Sequence, residues 1–468
     1  MQDPSPVTAL CWLRNDLRLE DNPALAYALR HHAAVLCVYI DSERNDRDPP
    51  ANAWWLRGAL LDLHERLQGR LLYCAGEEQA QLEQLIAQYR IGAVYWNRRY
   101  EPAARARDAR TKQWLSDQGL RVASFSGNLL YEPWEVTKAD DTPYRVFTPF
   151  YKAARAQGLV EPHAGAASED LTRLVEVPDT SRQQIEALSQ RTWMEPFADC
   201  WQPTRAAALA RLEAFAAGPL AAYADARNNP AGAGCSAMSP YLHFGQISPR
   251  EIARRVRGLE GAEPYLRELI WREFAYHILY HWPASVEQPM DRRFAQMPWQ
   301  DDPAELQAWQ RGRTGIPMVD AGMRELWHTG FMHNRLRMVV ASFLCKHLLI
   351  DWREGARWFE YTLLDADLAN NRMGWQWSAG SGVDAAPYFR IFNPVAQGQR
   401  FDSAGAYVRR WLPELARLPD KWLHQPWEAP GPVLRQAGVV LGEHYPRPLV
   451  DLKAGRQRAL QVWERIKG

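Results

Sequence analysis

The densest chemistry in this sequence lies in the thirteen residues 365–377, DADLANNRMGWQW. Asp365 and Asp367 are acids, Asn370 and Asn371 adjacent amides, and Trp375 and Trp377 large rings. Acids and amides suit the polar edges of a cofactor, and tryptophans suit stacking on flat rings or passing electrons. The same residues equally suit a helix end capped by Asp and Asn, with Trp in the core. Three further stretches carry comparable density. In residues 223–239, YADARNNPAGAGCSAMS, Gly232 and Gly234 permit close backbone approach, and Cys235, Ser236 and Ser239 lead into a helix start near Pro240. Hydroxyls and backbone N–H groups at a helix start suit a phosphate, and an ordinary capped turn uses the same residues. In residues 266–280, LRELIWREFAYHILY, Glu268, Trp271, Arg272 and Ala275 share one helix face. In residues 332–338, MHNRLRM, Asn334 and Met338 stand one turn apart with Arg335 beside them. Trp299, Trp352 and Trp375 complete the set, as core residues or as a path for electrons.

The elements that must position these residues fall into two kinds. Residues 7–13, 35–40, 70–74, 93–96 and 121–125 are short apolar runs that predict strands. Helical periodicity fills the intervals 22–30, 53–68, 77–89 and 103–118. This alternation predicts an α/β domain over residues 1–130, a doubly wound five-stranded parallel sheet. Neither a G-x-G-x-x-G turn nor a G-x-x-x-x-G-K-[ST] loop is present, so a ligand there binds by another route. Residues 131–200 are proline-rich and predict a connector with short helical pieces. From 201 to 468 the pattern predicts helices throughout, the clearest at 206–216, 249–256, 265–280, 303–311, 317–329, 332–350, 353–364 and 455–466.

Composition is that of a globular protein, 47% hydrophobic with net charge +1, so any nucleic-acid surface must be a local patch. The six cysteines form no Cys-x-x-Cys pair and are expected as reduced thiols. The start MQDPSP lacks the basic and apolar regions of a signal peptide, and the apolar run 338–350 is too short for a bilayer. The expectation is a cytoplasmic protein without a membrane segment.

Taken together, WLRNDLRLEDNPAL, GCSAMSPYLHFG, LRELIWREF, MHNRLRM, LIDWREG, DADLANNRMGWQW and APYFRIFNP resemble the signatures of the DNA photolyase/cryptochrome family, and within it the class I cyclobutane pyrimidine dimer photolyases. The resemblance implies a Rossmann-like antenna domain and an all-α domain that binds FAD. It implies FAD contacts at Tyr223, Cys235, Ser236, Ala237, Met238, Ser239, Arg272, Asn334, Asp365, Asp367 and Asn371. Asn371 would stand beside the reactive flavin nitrogen, where plant photoreceptors carry Asp. Trp375, Trp352 and Trp299 would carry electrons outward. UV-damaged DNA would be the partner, its dimer flipped out between Trp271 and Trp377. Glu268, Asn334 and Met338 would complete the lesion contacts, Arg227, Arg335 and Arg390 would face phosphates, and Gln397 would lie at the DNA edge. No metal and no obligate protein partner are implied, and a monomer is expected. The folate-binding members carry an Asn-Glu pair where Ala103 and Ala104 stand, so a folate antenna is not expected, and the resemblance leaves open a deazaflavin, another flavin or no second, antenna chromophore. The family's usual Thr is Cys235 and its Arg is Ala237, changes compatible with a backbone-led phosphate turn.

Overall fold

The structure is a computed structural model that describes residues 7–166, 170–385 and 387–467. The MQDPSP start and Ala386, the first residue of APYFRIFNP, lie outside the described residues. Five strands, β1 (Thr8–Leu13), β2 (Val35–Asp41), β3 (Leu71–Ala75), β4 (Ile91–Asn97) and β5 (Arg121–Phe125), form one sheet in the order β3-β2-β1-β4-β5. Every pairing is parallel. Strands β1 and β2 are almost wholly buried, as a sheet covered on both faces requires. The helices Pro23–His31, Ala51–Arg66, Glu78–Tyr89 and Pro102–Asp117 supply the crossovers. Asn22 caps the first of these by accepting from Leu25 N at 3.2 Å, with Pro23 already at a helical position.

Strand order reverses between β1 and β4, the place where doubly wound sheets open a crevice. Here the chain fills that position itself. Arg14 Nη2 donates to Asn97 O at 2.5 Å, and Asn97 Nδ2 donates to Asp16 Oδ2 at 2.6 Å and to Asn22 Oδ1 at 2.7 Å. Arg14 also pairs with Asp108 at 2.6 Å. The polar residues of WLRNDLRLEDNPAL therefore hold their own loop in place.

Beyond β5 the described elements are helical. Packing nevertheless divides the chain differently from element type. One compact unit comprises Met1–Thr192, Trp201–Ala221 and Ser236–Pro283; the other comprises Trp193–Cys200, Ala222–Cys235 and Ala284–Gly468. Segments 201–221 and 236–283, expected with the helical domain, thus pack with the sheet. The reason is polar as well as apolar. Arg250 Nε pairs with Asp21 at 2.9 Å with both side chains buried. Glu273, on the helix Ala262–His281, accepts from Leu130 N at 2.8 Å and Tyr131 N at 3.2 Å.

Glu273 yields a pH prediction. Burial pushes its carboxyl from 4.5 up to about 7, against the pull of Arg272 and the two backbone N–H groups. Between those values the unfolded chain ionises the group while the folded chain keeps it protonated. Its contribution is therefore full below the unfolded value and is lost as pH rises to the folded one. Glu273→Gln should gain on the parent by up to about 3 kcal/mol between pH 4.5 and 7. Urea melts across that range check it, and parallel stability curves for the two proteins would refute it.

The second unit is built around a core of Trp309, Met318, Leu336, Val340, Phe343, Trp352, Phe359 and Trp375, with Trp299 packed against its edge. The expected helix over 332–350 is seen as one continuous run, 334–348, that changes its hydrogen-bonding pattern midway. An α-helix, Asn334–Ser342, passes into a π-helical turn, Phe343–Leu348. Among the described residues, no helix is long and apolar enough to cross a membrane, and no His, Cys, Asp or Glu cluster could hold a metal.

Candidate functional site

On the first unit, the helix Ala262–His281 carries Glu268, Trp271 and Arg272, with Ala275 buried beside them. Arg272 donates to Asn128 O at 2.9 Å and stands 5.0 Å from the centroid of Tyr276. Trp271 is half-buried and stacks on Phe147. The turn before the short helix Ser239–His243 belongs to the same unit. Ser236 Oγ accepts from Tyr265 OH at 3.0 Å, Ala237 takes a left-handed backbone with φ +50°, and Met238 is buried. A positive φ at a residue with a Cβ is uncommon, so the surrounding turn holds Ala237 in a backbone it rarely adopts.

On the second unit, Tyr223 is buried, with the Arg227 guanidinium 5.2 Å from its ring centroid. Cys235 Sγ lies 3.3 Å from His333 Nε2. His333 is the N-cap of the helix Asn334–Ser342, and its Nδ1 accepts from Arg335 N at 3.1 Å. That contact leaves Nε2 as the protonated nitrogen of the neutral ring. Burial and the nearby arginines push His333 down to about 4, so it stays neutral at ordinary pH. Asn334 is exposed and Met338 half-buried one turn later. Arg335 donates to Asn228 and stands 4.2 Å from the Phe401 ring centroid.

The 365–377 strip divides its labour. Asp365 is buried and takes two contacts from Arg337 Nη2, at 3.0 and 2.8 Å. Asp367 is the N-cap of the helix Leu368–Ala379 and accepts from Asn370 N at 2.8 Å. Asn371 Nδ2 donates to Ala356 O at 3.0 Å and reaches Glu360 Oε1 at 3.4 Å. Its carbonyl oxygen is thereby turned the other way. Arg372 pairs with Glu360 at 3.1 Å. Trp375 is buried, edge-on to Trp309 at 6.0 Å and to Phe359 at 5.0 Å. Trp352 is buried in the same core, Trp299 borders it, and Trp377 is half-buried. Arg390 is exposed, and its carbonyl accepts from the buried Lys346 Nζ at 3.2 Å. Gln397 lies in the helix Pro394–Phe401, half-buried.

Sequence reasoning missed Phe147, Trp309, His333, Arg337 and Glu360. Arg337 and His333 lie inside MHNRLRM and were within reach. Glu360 and Phe147 carry no local signal. The residues present fit a polar, flat cofactor. The Asn371 amide, held on its nitrogen side by Ala356 O and Glu360, leaves its oxygen as an acceptor for such a group.

Residues 9–168 match the profile for DNA photolyase, and residues 265–465 match the FAD binding domain of DNA photolyase. The chain is 44% identical to the deoxyribodipyrimidine photo-lyase of Agrobacterium fabrum, with 98% of each chain covered. It is 38% identical to Cryptochrome-1 of Arabidopsis thaliana, with 97% of this chain and 70% of that one covered. It superposes on a bacterial class III photolyase from Agrobacterium tumefaciens with a TM-score of 0.94 and 43% identity, covering 100% of this chain and 99% of that one. The chain belongs to the DNA photolyase/cryptochrome family, with FAD as the cofactor of its helical domain.

Proposed function

We propose that this chain is a deoxyribodipyrimidine photo-lyase, repairing cyclobutane pyrimidine dimers in UV-damaged DNA under blue light. The observation that carries the reading is Asn371, a neutral amide held by Ala356 O and Glu360. A carboxylate there would hand a proton to a reduced flavin; an amide does not. Tyr223, the turn Cys235, Ser236, Ala237, Met238, Ser239, and Arg272, Asn334, Asp365, Asp367 and Asn371 would hold FAD. Held by these residues, reduced FAD would supply the light-driven one-electron chemistry that splits the cyclobutane ring with no net redox change. Trp271 and Trp377 would stack on the flipped-out dimer, and Glu268 would bond a base edge and share its proton. Asn334 and Met338 stand where enzymes acting on the (6-4) lesion need histidines, which favours the cyclobutane dimer. Arg227, Arg335 and Arg390 would take phosphates, with Gln397 at the DNA edge. Trp375, Trp352 and Trp299 would supply electrons from outside.

Within the family the motifs favour class I. The similarity to a class III photolyase structure at 43% identity favours class III as a second reading, and both place the chain among dimer-repairing enzymes. We read it as a cytoplasmic monomer. The test is repair of a thymine-dimer oligonucleotide, double- and single-stranded, by the reduced protein in blue light and in darkness, scored by chromatography. Light-dependent dimer loss is expected on duplex DNA. No light-dependent loss on either substrate overturns the enzyme reading in favour of a cryptochrome-type receptor, and loss confined to single strands moves it to the DASH-like group. The absorption spectrum of the same sample reports any second chromophore besides FAD.

A further inference from the structure

We propose that Phe147 is a positioning residue for lesion recognition, the fixed backing on which Trp271 is held flat. The inference rests on the reading of Trp271 as a lesion-stacking ring. The two rings are nearly parallel, 9° apart, with centroids only 3.5 Å apart. Aromatic pairs left to themselves prefer an offset or edge-on arrangement with centroids farther apart. So close a face-to-face pair is held by its surroundings. Phe274 presses edge-on against both rings, at 5.7 Å from Phe147 and 5.8 Å from Trp271. Phe150 stands against Phe274 at 5.1 Å. The helix Phe147–Ala156 is also tied to the helix bearing Trp271 by polar contacts. Tyr151 OH donates to Glu263, and Arg155 pairs with Glu263 at 2.9 Å.

The consequence for binding follows from geometry. Phe147 is 1% exposed, and Trp271 remains half-buried. One face of the Trp271 indole is covered by Phe147, so a base stacks on the other. With its plane already fixed, Trp271 loses little rotamer freedom when a base arrives. An indole without this backing must be ordered at the moment of binding. The Pro-rich stretch 131–200 therefore contributes a residue to recognition, although it reads as a plain connector.

The test measures dark binding of a thymine-dimer oligonucleotide and of its undamaged twin by fluorescence anisotropy, using the FAD-loaded protein. Phe147→Leu removes the ring while keeping apolar bulk. It should weaken lesion binding about three- to tenfold, the effect of immobilising one rotamer-rich side chain. Undamaged DNA should bind as before, and under light KM should rise with kcat kept. Phe147→Tyr, which keeps a ring in the same plane, should restore lesion binding. Phe147→Met replaces Phe147→Leu if circular dichroism shows that the latter does not fold. Trp271→Ala separates the two claims. Lesion binding lost in Trp271→Ala but unchanged in Phe147→Leu overturns the role of Phe147. Lesion binding unchanged in Trp271→Ala overturns the reading of Trp271 itself.

Discussion

Replacing Trp375 by Phe should cut photoreduction of the bound flavin about tenfold or more, since each added 1.4 kcal/mol of barrier is a factor of ten. Chemically reduced protein should go on repairing dimers at the parent rate. A phenyl ring gives up an electron far less readily than an indole, so the nearest step of the outward path is lost while the lesion contacts stay. Packing supplies a second, subtler variant. Gly355 lies on the helix Trp352–Thr362, and a Cβ built there would clash with the outer edge of the Trp375 ring. Gly to Ala in a helix ordinarily stabilises by about 1 kcal/mol. Here the rigid indole, edge-on to Trp309 and Phe359, has no flexible end to withdraw. Gly355→Ala should instead cost about 1–3 kcal/mol, as overpacked cores do, and slow photoreduction by moving Trp375. Flash absorption and urea melts read the two effects. Normal photoreduction in Trp375→Phe under an external electron donor would sink the assigned path. An unchanged melt in Gly355→Ala would sink the packing argument.

The second large effect is expected at Asp365. Its carboxylate is buried and holds Arg337 through both oxygens. Arg337 keeps a contact to Met332 O at 2.8 Å and lies 5.5 Å from the Phe331 ring centroid, so it cannot swing freely into water when its partner is lost. Breaking a buried pair costs about 3–5 kcal/mol, and because Arg337 is partly exposed about 2–3 kcal/mol is expected for Asp365→Ala. The same variant should be purified with little FAD, seen as a fallen ratio of flavin to protein absorbance. Asp365→Asn, which keeps one acceptor, should hold an intermediate amount. Full FAD content together with an unchanged melting temperature in Asp365→Ala would remove both the structural and the cofactor role.

What could be read in advance was what is written locally. The strands and most helix limits followed from apolar period and from caps such as Asn22 and Asp367. The Asp367 cap shows that the bland account of the strip was right for that residue, whatever else Asp367 does. Partners distant in sequence could not be read. The Glu273 carboxylate closes on Leu130 and Tyr131, and Phe147 closes on Trp271, across more than a hundred residues with no local mark. The change from α to π within the 332–350 helix was hidden for a different reason. No Gly or Pro announces it, and the carbonyl of His347 in its last turn accepts from Arg458 at 2.6 Å, on the C-terminal helix Leu452–Ile466.

The setting of Asn371 also constrains how such a protein can evolve. Its amide nitrogen occupies the spot 3.0 Å from Ala356 O and 3.4 Å from Glu360 Oε1. An Asn371→Asp change made alone would turn an oxygen toward a carbonyl and a carboxylate, two repulsive neighbours where an attractive pair stood. The step from amide to acid is therefore epistatic on Glu360, which must be lost first or neutralised. Arg372, bound to that same carboxylate, would be left with Glu287, 3.6 Å away. Drift from Asn to Asp at position 371 would thus follow an ordered route through Glu360, and ancestors that took the Asn371→Asp step with Glu360 intact should be rare.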